Sequence, residues 1–247
     1  MPAGPSEVGA PPSWLRELET ALLTNSQVIV YGNVRDQYLL PENGRWRVRD
    51  MRYCIWSCLR RAGFPFLVVA DPVEGLRAIP PEPDAAAAVE KLIGRDVGKD
   101  QGEPLTLTTL QEVLGPVVRA DTPAAVAIDY ASRLLVDVRH LDEAEHRFFA
   151  CCEKLATTAT PVHRQDGQIE RYNPVIWVVG SDRDLPAWFS SGNDAVRKIA
   201  VPLPDMSDRR TRGDAPRQRP RRTGGDQGRT GRHRRPLRRT HPRADPP

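Results

Sequence analysis

Short, β-branched apolar runs alternating with amphipathic stretches constrain this chain more than any other feature. The runs are Gln27–Tyr31 (QVIVY, closed by Gly32), Pro65–Ala70 (PFLVVA), Ala124–Ile128, Pro174–Gly180 (PVIWVVG) and the short Lys198–Leu203. They are apolar nearly throughout, the pattern of parallel strands covered on both faces. Helical segments separate them: Ser13 to about Thr24 with Ser13 as N-cap, and Met51–Ala62, capped by Asp50 and stopped at Gly63. Further along come an Ala-rich helix capped by Asp84 and reaching Ile93, a stretch Leu105–Ala120, and the amphipathic Leu141–Thr158. The polar stretch Asn33–Arg49 predicts irregular structure. Right-handed crossovers then give a three-layer, doubly wound α/β domain with a mostly parallel sheet of about five strands.

In such sheets ligands bind beyond the carboxyl ends of the strands. That rule singles out Gly32, Asn33 and Asp36 after the first strand, and Asp71 after the second. After the third come Asp129 and Tyr130, and after the fourth Ser181, Asp182 and Asp184. These polar groups are expected to converge on one edge. Other chemistry has little support. Cys54, Cys58, Cys151 and Cys152 form no C-x-x-C pair and predict reduced, partly buried thiols. The spacing of His140 and His146 does not put two ligands on one helix face. His163, beside Arg164 and Asp166, reads as part of a turn. No G-x-S-x-G elbow is present to support a serine hydrolase.

Charge divides the chain unevenly. The whole sequence is +4, yet residues 207–247 hold 14 arginines against four aspartates. Residues 1–206 are therefore left with 22 basic and 28 acidic side chains. The basic character belongs to the tail, and the body is mildly acidic. The tail is rich in Arg, Pro and Gly and nearly free of apolar residues, which predicts disorder. Three regions follow: a disordered lead 1–12, an α/β domain 13–206, and a disordered basic tail 207–247. No apolar run approaches the roughly 20 residues of a membrane span. The lead lacks the basic-then-apolar pattern of a secretory signal. A cytoplasmic protein without membrane attachment is expected.

The segment Asn173–Asp205, NPVIWVVGSDRDLPAWFSSGNDAVRKIAVPLPD, resembles the second half of an AAA-type ATPase core. There a hydrophobic strand ends in a polar sensor residue and a short strand ends in V-P-L-P-D. Upstream, Ala124–Asp129 (AAVAID) looks like a Walker B strand, and Gly32–Asp36 (GNVRD) resembles a motif in the N-terminal region of bacterial AAA ATPases. The likeness covers residues 13–205. It implies a P-loop NTPase-like fold, ATP with Mg²⁺ as the family's cofactors, and a second AAA module or ring subunits as partners. By resemblance, Asp129 would serve Mg²⁺ and Ser181 and Asp182 would sit near nucleotide.

The departures from that pattern lie in the residues that would do the chemistry. A P-loop needs G-x-x-x-x-G-K-[ST] after the first strand, so that glycine amides wrap the phosphates and a lysine reaches them. Here the strand is followed by GNVRDQY, with one glycine and no lysine. The partial match Gly94–Asp100 (GRDVGKD) follows a helix and offers Asp100 where Mg²⁺ needs a hydroxyl. Tyr130 replaces the glutamate that would polarise water. Asp182 puts an anion at the sensor position, where it would repel a γ-phosphate. Asn193 or Asp194 stands where the family places its arginine finger.

The expected function is therefore an N-terminal AAA-like domain that keeps the scaffold without catalytic residues of its own. The complete family member would hydrolyse ATP to remodel macromolecules. The tail's composition resembles a shifted frame of GC-rich DNA, which predicts a chain truncated or frameshifted after about residue 206. Two alternatives stand beside this reading. One is a non-enzymatic α/β module whose Arg-rich tail binds nucleic acid; the other is a non-standard nucleotide site built from Asn33, Asp36 and Asp129.

Overall fold

The computed structural model describes residues 12–42, 45–98, 104–162 and 171–203. The expectations for residues 1–11, for the tail and for His163 lie outside them. Helix α1 (Ser13–Thr24) leads into β1 (Gln27–Gly32). A hairpin of β2 (Tyr38–Glu42) and β3 (Arg45–Arg49) precedes α2 (Met51–Arg61). Strands β4 (Leu67–Asp71) and β5 (Gly75–Ile79) are followed by α3 (Pro83–Ile93) and α4 (Leu107–Val118). The rest is β6 (Val126–Ile128), α5 (Glu143–Thr158), β7 (Val175–Val179), the short α6 (Ala187–Ser190) and β8 (Val196–Val201).

The main sheet has the order β5-β4-β6-β7-β1-β8. Every pairing in it is parallel except β4 with β5. Period-2 alternation divides the buried residues between two faces. Ile29, Val68, Val126 and Trp177 face one core with α3, α4 and α5. Val28, Val30, Val69, Ala127 and Val178 face the other with α1 and α2. The first core is anchored by Phe148, Phe149, Trp177 and Phe189, whose ring centroids lie 5.2 to 6.2 Å apart. Such aromatic pairs contribute about 0.5–1.5 kcal/mol each beyond their buried area. The three-layer, mostly parallel α/β architecture is thus as the sequence predicts.

Several details differ. The main sheet has six strands, because β5 forms an antiparallel edge against β4. Its sequence, GLRAI, carries Arg77 at its centre and its last three residues are only partly buried, as an edge strand can be. The stretch expected to be irregular holds the β2–β3 hairpin, whose arginines and Pro41 hide the strand pattern. The last strand begins at Val196 rather than Lys198. Ser13 opens α1 instead of capping it, with Pro12 in the cap position. Asp84 lies in the first turn of α3, behind Glu82. Asp50 does cap α2, accepting from the Tyr53 amide. Helix α5 starts two residues later than expected, at a reciprocal capping box between Asp142 and Glu145. Cys54, Cys58 and Cys152 are buried free thiols. Burial pushes Cys58 up to about 12, and it raises Cys54 and Cys152 too. Among the described residues, no helix is long and apolar enough to cross a membrane.

Candidate functional site

The carboxyl ends of β1, β4, β6 and β7 lie on one edge of the sheet, as the parallel pairing requires. At the end of β1 the backbone closes on itself. Gly32 has φ +99°, and a Cβ there would stand 2.7 Å from the Val201 carbonyl oxygen. Only glycine fits that approach of β1 to the end of β8. Three successive amides here are engaged within the protein. Gly32 donates to Gly180 O at 3.2 Å, Asn33 to Val201 O at 3.0 Å, and Val34 to Gly32 O at 2.8 Å. Val34 is buried. The Asn33 amide side chain reaches Asp36 Oδ2 at 3.3 Å. The Tyr38 hydroxyl donates to the Asn33 carbonyl. This turn sends Arg35 out of GNVRD toward β6.

Asp129 is the centre of the edge. It is 3% exposed, and its amide donates to Ala70 O of β4. Both carboxylate oxygens carry guanidinium groups. Oδ1 accepts from Arg35 Nη1 at 2.5 Å and from the Tyr130 amide at 2.8 Å. Oδ2 accepts from Arg52 Nε, also at 2.5 Å. The same Arg52 reaches Asp71 Oδ2 at 2.9 Å and Glu74 Oε2 at 3.1 Å. Asp71 is held in turn by the amides of Val73 and Glu74 on its other oxygen. One arginine on α2 thus bridges three carboxylates from two strand ends. Burial alone pushes the Asp129 carboxyl up, but the hydrogen bonds and charges of Arg35 and Arg52 overcome this. Its pKa lies below the ordinary carboxylate value. Burial likewise opposes the charge on Arg52, and Asp129 and Glu74 raise it above the usual guanidinium value.

Tyr130 follows in the left-handed region, with φ 50° and ψ 29°. That conformation is uncommon for a bulky side chain and costs of order 1–3 kcal/mol. The Arg35 guanidinium lies 3.5 Å from the centre of the Tyr130 ring, holding it in a cation–π stack. Tyr130, the residue after Asp129, is therefore covered by an arginine of the GNVRD turn.

The end of β7 is built differently. Ser132, just after Tyr130, accepts from the Gly180 amide at 2.8 Å and ties the β6 and β7 ends together. Ser181 and Asp184 close a turn, with the Ser181 amide donating to Asp184 Oδ2 at 2.8 Å. Asp182 stands 3.9 Å from Lys198 Nζ. Asn193 and Asp194 precede β8 at the opposite edge, where Asn25 donates to Asp194 O. They line an open groove of about 620 Å³ there. In the 94–98 loop, Gly94 ends α3 in a left-handed conformation and the Gly98 amide donates to Leu76 O; Lys99 and Asp100 lie outside the described residues. Among the described residues, no group of three or more His, Cys, Asp or Glu side chains is placed to hold a metal ion.

Of the expected site residues, Asp71 and Asp129 are joined through Arg52, and Gly32 and Asn33 hold the turn that delivers Arg35. Ser181 and Asp182 belong to the neighbouring β7 turn. Sequence reasoning passes over Arg52 and Glu74, and it reads Arg35 only as part of a motif. The weak signal for Arg52 is a charged residue next to the buried Met51 at the start of α2.

Fold and edge together define a Rossmann-like α/β domain whose strand-end site is occupied by its own ion pairs. A family model described as the AAA+ chaperone N-terminal Rossmann-like domain matches residues 2–202, and the chain belongs to that family. No curated protein matches it.

Proposed function

We propose that this domain is a non-hydrolysing N-terminal module of an AAA+ chaperone, with Asp129 acting as a structural counter-ion. The observation that carries this reading is the double guanidinium clamp on Asp129. A magnesium ion at that carboxylate would have to displace two charge-assisted hydrogen bonds in a largely dry site. The turn after β1 argues the same way, since the amides of Gly32, Asn33 and Val34 donate to protein carbonyls and are not free to cradle a phosphate. The residues present do not fit magnesium nucleotide. In the complete family member, ATP binding and hydrolysis to remodel macromolecules belong to a second AAA module, acting in a ring of cytoplasmic subunits. This domain supplies a scaffold and a surface.

The test uses the full chain. MgATP is expected to leave its melting temperature unchanged and to yield no phosphate above the buffer rate. A rise in melting temperature that Asp129→Asn removes would overturn the proposal and place nucleotide at this edge. A second reading rests on the 14 arginines of residues 207–247. Such a tail would bind nucleic acid through phosphates, without sequence preference and with steep salt dependence. Gel shifts of the full chain across a salt series, repeated after removal of 207–247, decide it. A shift that survives the removal, or none at low salt, sinks it.

A further inference from the structure

The arginines of the β2–β3 hairpin and α2 are distributed in a way that neither the fold nor the strand-end site explains. Leaving aside Arg52 of the strand-end site, residues 38–62 contain five arginines against Glu42 and Asp50, within a body that is acidic through residue 206. Their placement follows from the hairpin register. Leu40 is opposite Arg47, Glu42 opposite Arg45, and Tyr38 opposite Arg49. Directly opposed residues in an antiparallel pair share a face, so Arg45, Arg47 and Arg49 stand on the face of Leu40 and Glu42. That face borders a cleft of about 460 Å³ between the hairpin, α1 and α2. The apolar residues at its floor, Leu15, Leu40 and Trp56, are almost fully buried; Pro41, Arg60 and Arg61 are its more accessible lining residues.

Some of these cations are engaged. Arg49 makes a bidentate pair with Glu42 and covers the Tyr53 ring at 4.2 Å, and Arg61 pairs with Glu19. Arg45 and Arg60 are exposed and form no ion pair or hydrogen bond among the described residues. Arg47 acts only through space on Glu42, which Arg49 already holds. Charges on an exposed strand are a common guard against edge-to-edge pairing. That explanation does not extend to Arg60, which comes from a helix on the other side of the cleft.

We propose that this cleft, with the cationic hairpin face beside it, docks an acidic polypeptide segment. Charge complementarity selects an acidic partner. The aromatic rings argue for protein over single-stranded nucleic acid. Trp56 is 7% exposed, and Tyr53 lies under Arg49, so neither offers the open face that stacking on a base requires.

The test uses the full chain and a fluorescein-labelled peptide of alternating Glu and Leu with one benzophenone side chain. Cross-links are expected within residues 40–61. A triple variant, Arg45→Glu with Arg47→Glu and Arg60→Glu, is expected to bind the peptide at least about tenfold more weakly. Replacing Glu by Gln in the peptide is expected to weaken binding as well. The fold of the variant is checked by its melting temperature; if that falls, Arg60→Glu alone and the wild-type cross-link map carry the test. Cross-links confined to 207–247, affinity unchanged in the variants, or no binding would overturn the proposal. Displacement of the peptide from the cleft by an oligo-dT strand at equal or lower concentration would overturn it in favour of nucleic acid.

Discussion

Two groups of arginines in this domain follow opposite rules. At the strand ends, Arg35 and Arg52 are surrounded by acceptors and meet the buried carboxylates Asp71 and Asp129. Beside the hairpin, Arg45 and Arg60 stand in solvent without partners among the described residues. The first arrangement fixes structure where related folds hold ligand. The second leaves positive charge available on another face. On the reading proposed above, recognition falls away from the edge where the fold alone would place it.

The comparison can be broken by mutation, and the largest effect is expected at Arg52. Its removal in Arg52→Ala leaves two buried carboxylates without their shared partner, and a loss of about 3–5 kcal/mol is expected in urea unfolding. A loss below 1 kcal/mol would mean that the edge is held by packing instead. Gly32→Ala comes next, at about 2 kcal/mol, because its Cβ meets a carbonyl oxygen in a left-handed backbone. Arg35→Ala is expected to cost about 1 kcal/mol through the lost cation–π stack and one partly exposed ion pair. Single Arg45→Ala and Arg60→Ala changes should stay within about 0.5 kcal/mol, as exposed substitutions do.

Acid titration sharpens the same contrast. Asp129 has its folded pKa held below the ordinary 3.8. A carboxyl lowered in the folded state binds protons more readily when unfolded, so its contribution is complete above 3.8 and disappears as pH falls through the folded value. The stability gap between wild type and Asp129→Asn should therefore narrow as pH drops below that ordinary value. A gap independent of pH down to 2 in urea melts would show that Asp129 acts through shape rather than charge.

The sequence made legible those parts whose signal is local. Strands β1, β4, β6 and β7 are buried on both faces and read as continuous apolar runs. Asp50 caps its helix from the adjacent position. Hairpin strands β2 and β3 carry Pro41 and a row of arginines, so their alternation is between charged and apolar residues on a small ribbon rather than a buried run. Strand β5 is an edge. The site was legible by half: the strand-end rule finds Asp71 and Asp129 without any knowledge of their partners. Arg52 meets Asp71, Glu74 and Asp129 across separations of 19, 22 and 77 residues. No local pattern encodes such contacts; only the folded sheet brings them together.

The placement of β1 between β7 and β8 also sets a schedule for synthesis. Gln27 pairs with Val175 on one side and Val196 on the other. At translation rates of about 5–20 residues per second, this strand waits on the order of ten to thirty seconds for its neighbours. Through that interval the run Val28-Ile29-Val30 has neither of its native ladders, and the nascent chain is open to mispairing with other strands in the cell. A domain of a chaperone family is, at this stage of its own making, a candidate client.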